Sequence, residues 1–340
     1  MMNIPRLPAE WEPHEATIMA WPMENQDSSW AGLELAKARE EFRQLVVAIS
    51  RDEPVHLLLG DEQARSSALS DLRGVDNITF HDLPLNDCWV RDSGPIFVEL
   101  NSQEVAATDW QFNGWGNRFP FQKDNELPQQ LSSRIPHPIT SFSWVLEGGS
   151  IDANGQGMAL ATESCLLNPN RQKTNHQEVE SVLQQHLGIK TLLWLPFGLS
   201  GDHTDGHIDN IARFTSKTQI LTVASHKSDI NALQLSENHK ILAAAATQHE
   251  LTIHSLPLPH QTKNSRQEPL TQSYANFYIT NNSVLVPQFD QPTDEQALEI
   301  IQQCFEDRHI QGLPSRFISL GGGSFHCLTQ QIPAKRNKND

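Results

Sequence analysis

Cysteine is scarce in this chain, with four among 340 residues, and none of Cys88, Cys165, Cys304 and Cys327 stands in a CxxC pair. Neither a disulfide framework nor a thiolate zinc site is suggested by that spacing, which leaves a reduced, cytoplasmic protein as the default expectation. Long apolar runs are missing too. No stretch approaches the roughly 20 apolar residues of a membrane-crossing helix. The opening residues, MMNIPRLPAEW, show neither the charged start nor the apolar run of a secretory leader. Positive charge is also short, since 25 Lys and Arg against 41 Asp and Glu give a formal charge of −16. Nucleic acid and anionic membranes select basic surfaces, so neither is an expected partner. A cationic ligand suits the balance. No long linker or low-complexity block divides the chain, and only the tail after Pro333, AKRNKND, reads as disordered. The length allows one large α/β domain or two smaller ones.

What is present is an alternation of helical and β-type patterns. The spacing predicts helices over 32–50, where Leu35, Phe42, Leu45, Val46 and Ile49 share a face, and over 61–72, 174–187, 229–248 and 293–305. Between them lie β-type runs at 54–60, 77–84, 94–100, 190–196, 218–225, 251–258, 283–289 and 315–321. This alternation predicts α/β architecture. Four segments break it with Gly, Asp and Asn where strands should end: LNDCWVRDSGP, VLEGGSIDANGQG, LSGDHTDGHIDN and LGGGSFHCLTQQIP. Loops on rigid strands are where chemistry concentrates, so the pattern suggests similar modules that each send one loop to a common centre.

Those loops offer Asp92 and Trp89, then Glu147, then His207 with Asp209, and finally Cys327. A thiol and an imidazole among three carboxylates make little sense for a peptide bond, but good sense when the electrophile is itself cationic. A guanidinium fits: it is planar, rich in donors and permanently charged. Two carboxylates can grip it from different edges, and its resonance-stabilised carbon needs a nucleophile as strong as a thiolate. For Cys327 taken alone, a small buried hydrophobe is the commoner role, and it is the one expected for Cys88, Cys165 and Cys304. The three glycines at 321–323 lack the Gly-Lys-Ser/Thr ending of a phosphate loop. Their expected use is close approach of backbone and substrate beside the thiol. Asp202, His203, Asp205, His207 and Asp209 look like metal ligands, yet no other His/Cys pair has ligand spacing, and no metal is expected. Strand alternation would place Asp205, His207 and Asp209 on one face, and His326 opposite Cys327. An ordinary core aromatic is the simpler reading of both Trp89 and Trp115, and Trp89 is read instead as a wall of the site able to make a cation–π contact. Arg91 is expected in a structural ion pair, with Asp92 as one possible partner.

Taken together with PAEWEPHEATIMAWP and TDWQFNGWG, these motifs resemble the agmatine deiminase family, a branch of the guanidine-modifying enzymes that includes bacterial peptidylarginine deiminases. The likeness runs from Pro8 to Pro333 in the family's motif order. It implies the pentein fold, a five-bladed α/β propeller with the active site on its axis, in one catalytic domain over 1–333 followed by the tail 334–340. It implies Cys327 as nucleophile, His207 as proton carrier with Glu147 beside it, Asp92 and Asp209 on the guanidinium, and Trp89 flanking the substrate. No metal or organic cofactor is implied. The expected reaction is hydrolysis of agmatine to N-carbamoylputrescine and ammonia through a covalent thiouronium, serving polyamine synthesis or agmatine catabolism. The resemblance extends to a homodimer.

Agmatine is a dication without an α-carboxylate, so it requires no arginine partner. Secreted peptidylarginine deiminases of this branch would carry a leader and an immunoglobulin-like domain, which the sequence does not display. Peptidylarginine or free-arginine deimination, amidine transfer to an amine on the same fold, and non-catalytic guanidine binding are the alternatives.

Overall fold

Phe42, Leu45, Val46 and Ile49 recur at the spacing that lays side chains along one helical face, and all four are fully buried on helix Leu35–Asp52. Full burial of each such side chain contributes about 1.5–3 kcal/mol. Trp21 meets Phe42 edge to face at 5.5 Å between centroids, tying the helix to the sheet beneath it. The computed structural model describes residues 5–24, 30, 33–101, 104–263, 267 and 269–336. The expected helix start at Gly32 lies outside them. The other expected helices form as Glu62–Asp71, His176–Leu187, Ala232–His249 and Asp294–Cys304. Asp61 caps the first of these by accepting from Ala64 N at 2.7 Å. Gly188, at φ 71°, ends the helix His176–Leu187. No helix among the described residues is long and apolar enough to cross a membrane.

Among the described residues the strands form five small sheets. One joins β1 (His14–Ala20), β2 (Val55–Leu59) and β3 (Ile78–Asp82). The next three sheets are β4 (Ile96–Asn101) with β5 (Glu104–Gln111) and β6 (Ile139–Val145), β7 (Ile151–Ala153) with β8 (Met158–Thr162) and β9 (Thr191–Leu195), and β10 (Ala212–Ser216) with β11 (Gln219–Ala224) and β12 (Thr252–Pro257). The last is β13 (Tyr278–Ile279), β14 (Ser283–Gln288) and β15 (His309–Pro314). The final strand, β16 (Thr329–Pro333), returns to pair antiparallel with β1, Thr17 opposite Gln331.

A single plan repeats. In each sheet an antiparallel pair comes first, and a helical crossover then adds a parallel strand, as in β4–β5–β6 and β10–β11–β12. The first sheet builds its antiparallel pair from the two ends of the chain, so the last module closes on the first. Ala334 N extends this closure to Pro13 O at 2.7 Å, and Arg336 pairs with Glu12 and Glu99. Residues 337–340, the rest of the expected tail, lie outside the described residues.

One expected strand does not form. Over 315–321 the chain makes a turn ending in a 3-10 segment, Ile318–Gly321. The backbone N–H groups of Phe317 and Ile318 donate to Glu41 Oε2, both at 2.8 Å, instead of entering a ladder. Burial pushes Glu41 up to about 7, against those two N–H donors. Its folded pKa therefore stands above the ordinary value of 4.5. The stability this implies is complete below that value and is lost as pH rises through about 7. Glu41→Gln should match the native chain in urea unfolding at pH 5 and exceed it by about 3 kcal/mol at pH 8. A less stable variant at pH 8 would show that the ionised carboxylate is the preferred clamp.

Candidate active site

Every sheet sends one short turn ahead of its antiparallel strand, and the polar residues gather there. Asp92 sits in the turn Val90–Ser93 before β4, and Glu147 opens the turn Gly148–Ser150 before β7. His207 and Asp209 frame the turn Ile208–Asn210 before β10. Cys327 lies in the turn just before β16. Four such loops are visible in the sequence. The fifth, Tyr274–Asn276 before β13, brings Asn276, a residue too generic to stand out without the repeat.

Gly149 marks where the loops meet. A Cβ there would fall 2.6 Å from His207 Nδ1, 2.8 Å from Asp92 Oδ1 and 3.0 Å from Asp209 Oδ2. Cys327 Sγ lies 3.4 Å from Asp209 Oδ2 and accepts from Asn276 Nδ2 at 3.2 Å. Asp92 is held at both oxygens, by Gly149 N at 3.0 Å and by Trp115 Nε1 at 2.9 Å. His207 Nε2 meets Glu147 Oε2 at 3.2 Å, and Arg171 Nε donates to Glu147 Oε1 at 2.8 Å. Arg171 is anchored in turn by Asp205 and the Thr204 carbonyl. Two atoms in this cluster are buried without a hydrogen-bond partner: Asp209 Oδ1 and His207 Nδ1. Such atoms are costly unless a ligand satisfies them.

The glycines around Cys327 have a steric reason. A Cβ on Gly323 would sit 3.2 Å from Cys327 Sγ and 2.7 Å from the Trp89 ring, and one on Gly321 would meet Trp30 and Trp89 at 2.9 Å. The loop must lie flat against Trp89, which stacks on Trp30 at 5.7 Å and 11°. Trp89 thus walls the glycine loop.

The charges are unevenly balanced. Burial, then the carboxylates of Asp209 and Asp92, push the Cys327 thiol well above its ordinary range. Burial also disfavours charge on His207, but Asp92 and the contacts with Cys165 and Glu147 outweigh it and raise the imidazole well above 6.5. Burial raises Asp92, with Asp209 and Glu147 adding to it against His207. Glu147 and Asp209 are lowered despite burial, the first chiefly by Arg171 and the second by His326. Three buried carboxylates, Asp92, Glu147 and Asp209, thus crowd one thiol, a setting that favours a positive ligand.

Several expectations change. Asp205 does not share a face with His207 and Asp209: at φ 65° it turns outward to Arg118 and Arg171. His326 and Cys327 are in a turn, not a strand, and both reach Asp209 Oδ2. Arg91 pairs with Glu10 at 3.6 Å rather than with Asp92. Trp115 is no plain core aromatic, because it donates to Asp92. Cys165 is fully buried, yet its sulfur lies 3.8 Å from Glu147. Among the described residues Glu147, Cys165 and His207 bring ligand-type atoms within 4.8 Å of one another. Glu147 of this set is tied to Arg171, and burial raises the Cys165 thiol.

Fold and site define a class before they define a family: five mixed α/β sheets that deliver a thiol, an imidazole and carboxylates to one buried centre. The chain belongs to the Porphyromonas-type peptidyl-arginine deiminase family, whose model matches residues 6–333. It is 36% identical to an agmatine deiminase of Ectopseudomonas mendocina, across 96% of this chain and 95% of that protein. It superposes with a TM-score of 0.90, at 28% identity, on a cysteine-to-serine agmatine deiminase of C. jejuni with substrate bound, covering 98% of this chain and 97% of that one. An agmatine deiminase of Enterococcus faecalis gives the same TM-score at 29% identity, over 97% and 96%.

Proposed function

We propose that this protein is an agmatine deiminase, with its five sheets as the blades of a propeller and the Cys327 cluster on the axis of one catalytic unit over 1–333. The observation that carries the reading is the surplus of buried carboxylate around a thiol, with Asp209 Oδ1 and His207 Nδ1 left unpaired. A guanidinium satisfies both needs, as donor to the aspartate and as counter-charge.

In this reading Asp92 and Asp209 grip the guanidinium plane from two edges, and Trp89 flanks it. The incoming positive charge reverses what raises the Cys327 thiol, so binding itself favours the thiolate. The sulfur attacks the guanidinium carbon, forming a C–S bond. His207 gives a proton to the departing nitrogen as the C–N bond breaks and ammonia leaves. The thiouronium remains on Cys327. His207, now neutral, takes a proton from water, whose oxygen attacks the same carbon. The C–S bond breaks, and N-carbamoylputrescine leaves with the thiolate restored. Glu147, fixed by Arg171, holds the imidazole in register. The relatives' substrate and the lack of a CxxC pair support a cytoplasmic enzyme of polyamine metabolism, and the family likeness alone supports a homodimer.

A substrate panel tests this reading. Agmatine should release one ammonia per ureido product with no acceptor amine present. Free arginine and a blocked arginine peptide should be poorer by roughly 100-fold or more in kcat/KM, because each changes the charge or bulk at the distal end. Ammonia release that requires an acceptor would make the protein an amidinotransferase. Preference for the peptide would assign it the peptidyl substrate.

A further inference from the structure

His326 precedes the proposed nucleophile, is buried, and has no role in the reaction above. Its Nδ1 meets Asp209 Oδ2 at 2.8 Å and its Nε2 meets Glu10 Oε2 at 2.9 Å. Glu10 is itself clamped by Arg213 at 2.8 Å, with Arg91 at 3.6 Å. Arg213 is held in turn by Asp152. The chain of contacts runs from the thiol, through Asp209 and His326, to the ion cluster of Glu10, Arg91, Arg213 and Asp152. Glu10, Arg91, Asp152 and His326 also line a cavity of about 40 Å³.

The consequence is directional. His326 occupies Oδ2 of Asp209, and Oδ1 is the oxygen left buried without a partner. A carboxylate free to turn about its Cβ–Cγ bond would offer either oxygen, or neither, to a ligand. We propose that His326 is a positioning residue that, braced by Glu10, holds the Asp209 carboxylate in one fixed orientation for the guanidinium. This rests on the reading that Asp209 grips the substrate. It makes the N-terminal segment around Glu10 part of the binding apparatus, although no residue of that segment touches the reacting atoms.

The test compares His326→Ala, His326→Asn and Asp209→Asn by steady-state kinetics with agmatine, with a thermal melt of each variant. Asparagine places its Nδ2 where the histidine has Nδ1, so it keeps the donor to Asp209 and loses the reach to Glu10. His326→Ala should raise KM about 10- to 100-fold, the scale of a hydrogen bond to a charged group, with kcat changed far less. His326→Asn should recover most of that loss, and Asp209→Asn should raise KM at least as much as the alanine variant. If His326→Ala does not fold, His326→Gln takes its place, since its longer amide reaches Glu10 rather than Asp209. A folded His326→Ala with unchanged KM, or an asparagine variant as impaired as alanine, overturns the proposal. An unchanged KM in Asp209→Asn removes the grip itself, and the proposal falls with it.

Discussion

Cys327→Ser should turn over agmatine at least about 10⁴-fold more slowly than the native chain, the scale on which removing a covalent nucleophile acts. The reason lies in the carbon attacked. Resonance over three nitrogens makes it a weak electrophile, and a hydroxyl flanked by Asp209 and Asp92 has no means of ionising. The sulfur can ionise because Asn276 donates to it and because a bound guanidinium offsets the carboxylates that raise it. The substitution is nearly isosteric, so the thermal melt should barely move. Ammonia release from purified enzyme measures the loss. A rate within tenfold of the native chain means another group attacks.

The second large effect is expected from the carboxylates. Asp92→Asn and Asp209→Asn should each lower kcat/KM by two to three orders of magnitude, since truncating one partner of a buried, hydrogen-bonded charge pair costs about 2–5 kcal/mol. The two should differ in kind. Asp92 is fixed by Gly149 N and Trp115 Nε1, two donors. An amide there must turn its own N–H₂ toward one of them, so both orientation and charge suffer. Asp209 keeps an oxygen for His326 when mutated, so the loss is chiefly that of charge against the substrate, and it should appear in KM. Unchanged kcat/KM in either variant would mean that the guanidinium is held elsewhere.

How much of this was legible beforehand depends on range along the chain. Helix Leu35–Asp52 could be read because one face repeats apolar residues within a few turns. The turn at 315–321 reads as a strand because its short apolar run is a local signal, whereas Glu41, which takes its N–H groups, lies far away in sequence. Strands such as β7 and β13 are only two or three residues long, too short for any period to declare itself. In the site, Cys327, His207, Glu147, Asp92 and Asp209 stood out because glycine-rich breaks surround them. Asn276, Arg171 and Glu10 did not, because each is defined by a partner that only the closed ring of sheets brings near, and the same holds for the partners of His326. Arg171 shows the difference: it precedes Asp205 by 34 positions and nothing beside it suggests a catalytic partner. The fifth loop was the most recoverable omission, since the repeating plan demands a residue before β13.

The central claim is that the sulfur of Cys327 bonds to the guanidinium carbon and ammonia leaves before water enters. Rapid acid quenching of enzyme mixed with excess agmatine, followed by intact-mass and peptide mass spectrometry, tests it directly. The account predicts a transient adduct equal in mass to agmatine less ammonia, carried on the peptide containing Cys327. An adduct on any other residue, or ammonia released at full rate with the enzyme never modified, would contradict it.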